Sequence, residues 1–153
     1  MTGTVLFRSP VSPRSVALAA AGFVVALLAG IGEALARAAM TLDRSEADVP
    51  DLAAGLAVRC AIYLVVFAVV VRMTRGDRMA RLALALGLGI LGLASLLVEP
   101  LTALATEGFD LSVTPSSLTL GILRAIHVLA VLVAIPAMYT PDARTYFARG
   151  ATA

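Results

Sequence analysis

Four apolar runs, each bounded by charged or proline-bearing segments, take up most of the chain: residues 15–39, 53–72, 80–104 and 118–139. A helix needs roughly 20 apolar residues to cross about 30 Å of hydrocarbon, and each run meets that length. The sequence is 60% hydrophobic and 14% charged. An ordinary soluble domain carries about 25% charge, so this chain lacks the polar groups to clothe a water-facing surface. These features predict an all-α membrane protein, a single domain over residues 1–153 with four transmembrane helices.

Flanking charge orients the bundle, because Arg near the ends of spans is retained on the cytoplasmic side. Arg8 and Arg14 precede the first run, Arg72, Arg75, Arg78 and Arg81 fill the second loop, and Arg144 and Arg149 follow the fourth run. The first and third loops carry Asp43, Glu46, Asp48, Asp51, Glu107 and Asp110. Both termini are therefore expected inside and the acidic loops outside. A competing reading makes the first run a signal peptide cleaved after Ala34-Leu35-Ala36. The apolar stretch from Val16 to Gly32 exceeds the usual length for such a segment, and Glu33 sits directly before the site, which favours a retained helix. All 12 basic residues are Arg and Ala is abundant, a composition that points to a GC-rich bacterial genome and hence to a multi-pass protein of the bacterial plasma (inner) membrane.

Five ionisable residues fall inside the apolar runs: Glu33, Arg59, Glu99, Arg124 and His127. A charge at the bilayer centre costs roughly 2.5 to 3.5 kcal/mol even on the lenient insertion scale, so such residues tend to be paired, inward-facing and functional. At about 1.5 Å per residue, both Glu residues come out roughly 27 Å above the inner boundary, and Arg59, Arg124 and His127 roughly 10 to 15 Å below the outer one. All five belong to the outer half.

The two halves of the chain also align. The segment from Glu33 to Ala39 matches that from Glu99 to Ala105, and Gly55 to Tyr63 matches Gly121 to His127, which equates Tyr63 with His127. This suggests a tandem repeat of two helical hairpins, residues 15–73 and 79–140, in parallel orientation. The most economical pairing is then Glu33 with Arg59 and Glu99 with Arg124, each guanidinium meeting a carboxylate through two hydrogen bonds. A local alternative pairs Glu33 with Arg37, four residues on. His127, one turn from Arg124, suits a hydrogen-bonding role or, less readily, proton relay; a metal role lacks partner ligands.

Gly22, Ala26, Gly30, Ala34 and Ala38 recur at every fourth position and allow another helix to approach closely, whether a neighbour or a second copy. Pro100 and Pro136 predict kinks in the third and fourth helices. Arg72, Arg75, Arg78 and Arg81 are expected to face lipid headgroups at the cytoplasmic surface, and Tyr146 with Phe147 to anchor at the interface. Cys60 is the only cysteine, which excludes an intramolecular disulfide; it reads as a small packing residue.

No nucleotide-binding, hydrolase or zinc-protease motif occurs, and the loop Arg residues follow the positive-inside pattern rather than a nucleic-acid stripe. The stretch around Glu33, with a membrane-embedded Glu followed by Arg37, superficially resembles the first helix of small multidrug resistance transporters. That resemblance would imply drug and proton exchange at Glu33. The acidic outer loop and the Arg residues inside the bundle depart from that family. The phrase Leu123-Arg-Ala-Ile-His-Val-Leu-Ala130 is similar to one in copper-resistance D-type membrane proteins, without the Trp-Gly that commonly follows it. Neither likeness assigns the chain to a family.

The sequence therefore reads as a small non-enzymatic scaffold or accessory subunit, with no catalytic residue, cofactor or metal. The expected partners are the lipid bilayer and a second copy or membrane-complex partner, not nucleic acid. The alternative is a proton-linked transporter or channel using the five charged residues.

Overall fold

A computed structural model describes residues 12–44, 48–94, 98, 101–102 and 115–149, apart from the side chain of Ser116. Every regular element among them is helical: α1 (Arg14–Leu42), α2 (Val49–Thr74), α3 (Arg78–Leu84), a π-helical segment (Ala85–Gly92) that continues α3, α4 (Pro115–Met138) and α5 (Pro141–Arg149). Three of these, α1, α2 and the stretch Ser117–Met138 of α4, are long and apolar enough to cross a membrane. They mark a membrane-embedded protein.

The third apolar run behaves differently from the other three. It is helical from Arg78 through residue 94 but widens to a π-helix over Ala85–Gly92, so it is not one uninterrupted α-helix. Gly87, Gly89 and Gly92 lie within those eight residues, and a Cβ at Gly89 would run into the Ile135 side chain of α4. Pro100 and Glu99 lie outside the described residues.

Local chemistry sets the helix ends. Pro13 sits extended before α1, and its carbonyl accepts from the amides of Val16 and Ala17. The Asp48 carboxylate caps α2 by accepting from the Asp51 amide at 3.2 Å, with Pro50 in the first turn where a missing N–H costs nothing. Between α2 and α3 the chain reverses at Gly76, whose φ of 88° is unfavourable for any residue with a Cβ. Asp77 then caps α3, accepting from the amides of Met79 at 2.8 Å and Ala80 at 3.2 Å. Pro136 lies inside α4, in its last turn.

Helix α1 is the hub of the bundle. In its most apolar window 39% of residues are buried, against 6% for α2 and 11% for α4. Its largest interface is with α4, and α2 packs on a second side and leads to α3. The α1–α4 contact is close because Gly22 has no side chain: a Cβ there would lie 2.9 Å from the Ala134 Cβ and 3.0 Å from the Ala130 carbonyl oxygen. Part of the small-residue stripe is thus used within the chain.

Packing is concentrated at the end of the bundle that carries α5. There Val16, Phe23, Val70, Met73, Leu84, Met138 and Phe147 form one buried cluster. The aliphatic faces left outside it, such as Leu28, Leu64, Val65 and Leu129, suit a lipid environment.

Some members of the Arg-rich group also make contacts within the protein. Arg78 donates from Nε to the Phe147 carbonyl at 2.8 Å and from Nη2 to the Ala148 carbonyl at 3.2 Å, which satisfies the open C-terminal end of α5. The Arg81 guanidinium lies 4.8 Å from the Tyr139 ring centroid and 4.9 Å from that of Phe147. Tyr146 donates its hydroxyl to the Thr74 carbonyl at 2.7 Å. Arg72 pairs with Asp77 at 2.7 Å, and Arg75 is exposed. The expected interfacial anchor therefore folds inward: Phe147 is buried, and α5 closes this end of the bundle.

Two predictions follow from this packing. Gly22→Val should lower stability by about 1–3 kcal/mol, because its added atoms would have to push α1 away from α4; denaturant titration in detergent micelles measures it. The Ala80 amide above all, then the Arg72 guanidinium and the Met79 amide, hold the Asp77 carboxyl below its ordinary range, against an opposing desolvation. A carboxyl with a depressed folded-state pKa contributes stability that is full above its unfolded pKa and lost as pH falls through the folded one. Asp77→Asn should therefore flatten the acid limb of the melting-temperature profile relative to wild type.

Candidate functional site

The end of the bundle opposite α5 is held together by one carboxylate. Glu33 is the buried charged residue of α1, at 9% relative exposure, and it is met from two directions. Arg37, one turn along α1, donates to Glu33 Oε1 from Nη2 at 3.0 Å and from Nε at 3.3 Å. Arg124 of α4 donates to the same oxygen from Nη2 at 2.8 Å. The second contact spans the α1–α4 interface and takes Arg124 from the opposite half of the chain.

This geometry corrects the expected hairpin-by-hairpin pairing. Glu33 is bound by Arg124 and by the local partner Arg37, not by Arg59, which is exposed and makes no ion pair among the described residues. The physical reason is which helix faces which: α1 lies closest along α4, and small residues on both helices bring the Arg124 guanidinium within reach. Residues 57–62 of α2 are all exposed. The expected partner Glu99 lies outside the described residues.

Two further side chains join the layer at Gly30. Tyr63 donates its hydroxyl to the Gly30 carbonyl at 2.9 Å, tying α2 to α1. A Cβ at Gly30 would lie 3.5 Å from both the Tyr63 hydroxyl and His127 Nδ1, so the residues equated by the repeat alignment meet at one point. His127 Nδ1 is buried and has no hydrogen-bond partner among the described residues. Tyr63 was not singled out as a site residue from sequence, although its alignment with His127 was the available signal.

Between these elements lies a cleft of about 470 Å³ lined by Glu33, Arg37, Arg59, Tyr63, Arg124 and His127, with Leu88 and Gly92 of the π-helical segment on its wall. An apolar groove of about 650 Å³ runs beside it between α1 and α2. Among the described residues no group of three His, Cys, Asp or Glu side chains comes together in a form that could hold a metal ion. The arrangement offers hydrogen-bond donors and fixed positive charge around one carboxylate, a constellation suited to ion pairing and polar binding. The Arg72, Arg75, Arg78 and Arg81 group stands apart, at the α5 end of the bundle.

Comparison with known proteins adds no assignment: no protein-family model, curated protein or solved structure matches the chain.

Removing the Tyr63 hydroxyl in Tyr63→Phe should cost about 1 kcal/mol, the usual net worth of such a hydrogen bond. Amide exchange at Gly30 and Ile31 should rise with it, as measured by hydrogen–deuterium exchange in micelles.

Proposed function

We propose that this chain is a non-enzymatic scaffold or accessory subunit of a bacterial inner membrane, built from four transmembrane helices with both termini inside. The observation that carries this reading is the Glu33 ion pair. Its carboxylate accepts three hydrogen bonds from two guanidinium groups at one oxygen, and the stronger tertiary link is to Arg124 of the far helix. Charge satisfied in this way fixes helix against helix and supports a structural role for the layer. The well-packed α5 end supplies a rigid base, and the exposed apolar faces leave room for a second copy or a larger membrane partner. The convergence of Tyr63 and His127 on Gly30 supports the tandem hairpin repeat.

A specific observation favours a second reading. Glu33 and His127 line the same cleft, which would give a transporter or channel its route to a protonatable pair.

A charge swap separates the two. Glu33→Arg should destabilise the purified protein strongly, since breaking a buried pair costs about 3–5 kcal/mol. Combining it with Arg124→Glu should recover much of that loss under the scaffold reading, whereas Glu33→Arg with Arg59→Glu should not. A stability profile from about pH 5 to 8, the range in which an ordinary His titrates, supplies the other arm. A flat profile accords with structural pairing; a reversible transition lost in Glu33→Gln or His127→Ala would sink the scaffold reading in favour of proton-linked transport.

A further inference from the structure

The polar cleft and the apolar groove share part of their lining. Ala34, Arg59 and Tyr63 contribute to both. The groove is walled by side chains such as Leu28, Leu35, Leu56, Leu64 and Phe67. Its volume of about 650 Å³ falls within the span of ligand sites, about 300–1,000 Å³.

Arg59 stands where the two surfaces join. Its side chain runs back along α2 toward the helix start, and Nη1 would come within 3.4 Å of a Cβ at Gly55. The absence of a side chain at Gly55 leaves the guanidinium room to rise one turn, about 6 Å, toward the acidic loop and the membrane surface. A guanidinium is a planar fork matched to phosphate oxygens. Glu33, the acidic residue of the cleft lining, is already occupied by Arg37 and Arg124, while Arg59 makes no ion pair among the described residues. A positive head site joined to an apolar trough fits a molecule that is anionic at one end and hydrocarbon at the other.

We infer that the cleft and groove form a binding site for a phosphate-headed anionic lipid, with Arg59 holding the headgroup and one acyl chain lying between α1 and α2. The inference adds a ligand class to the accessory-subunit reading and rests on that reading only for membrane insertion. If the charge swap at Glu33 and Arg124 fails, the scaffold reading falls while lipid binding at Arg59 is measured separately.

The test uses the full chain in dodecyl maltoside micelles with added dioleoyl phosphatidylglycerol or dioleoyl phosphatidylcholine, read by native mass spectrometry. Wild type should retain the phosphatidylglycerol about fivefold better, the selectivity that one headgroup-facing Arg confers. Arg59→Gln should lose that preference, Arg59→Lys should keep part of it, and Arg75→Gln, at the other end of the bundle, should keep it all. Cys60 is exposed and lines the groove, so its alkylation by a maleimide reports occupancy of the trough. Phosphatidylglycerol should slow that labelling, and inorganic phosphate should leave it unchanged. Equal retention by wild type and Arg59→Gln would overturn the proposal, as would an equal loss in Arg75→Gln, which would mean diffuse surface attraction. Protection of Cys60 by inorganic phosphate alone would replace the lipid with a free anion.

Discussion

A carboxylate placed among apolar helices has to be neutralised by whatever cations the fold can bring to it, and that requirement organises the half of this bundle away from α5. Glu33 sits on the most buried helix, where water cannot satisfy it. Arg37 reaches it from the same helix, and Arg124 reaches it from α4. The Arg124 contact requires α1 and α4 to lie close together at this level. Further along the pair, the absence of a side chain at Gly22 lets Ala130 and Ala134 of α4 come close to α1. The ion pair and the small-residue stripe are thus two parts of one device, the first supplying attraction and the second proximity.

The two ends of the bundle solve different problems. At the α5 end, aliphatic and aromatic side chains interlock, and Arg78 and Arg81 of α3 reach α5. Arg78 terminates α5 by donating to its last carbonyls, and Arg81 lies against Tyr139 and Phe147. At the other end lie a polar cleft and an apolar trough lined by α1 and α2.

Much of the architecture was legible in the apolar runs. The limits of α1 and α2 fall within a few residues of the predicted spans, because length and hydropathy decide where a chain can cross a membrane, and Pro13, Asp48 and Gly76 mark where it cannot continue. Of the charged residues singled out from sequence, Glu33, Arg59, Arg124 and His127 line one cleft, while Glu99 lies outside the described residues. Of their pairing, only the local contact between Glu33 and Arg37 was legible. Adjacent helices in sequence were expected to share their charges, and Arg59 was given to Glu33; the structure gives Glu33 to Arg124 instead. The roles of Arg78 and Arg81 were equally hidden, because the pattern that marks a cytoplasmic loop says nothing of a helix later in the chain that folds back upon it.

By itself the sequence determined that the chain is helical and membrane-embedded, that it carries ionisable residues at matching depth, and that α1 has a face on which another helix can lie closely. Each of these depends on composition and spacing along one helix, which do not require knowledge of neighbours. Only the tertiary structure decided which cation meets Glu33, which aromatic rings Arg81 joins, and that Arg59 is left at the mouth of a groove. Those outcomes depend on the relative tilt and rotation of helices, set by the summed packing of many small side chains, and no single residue in the sequence encodes that sum.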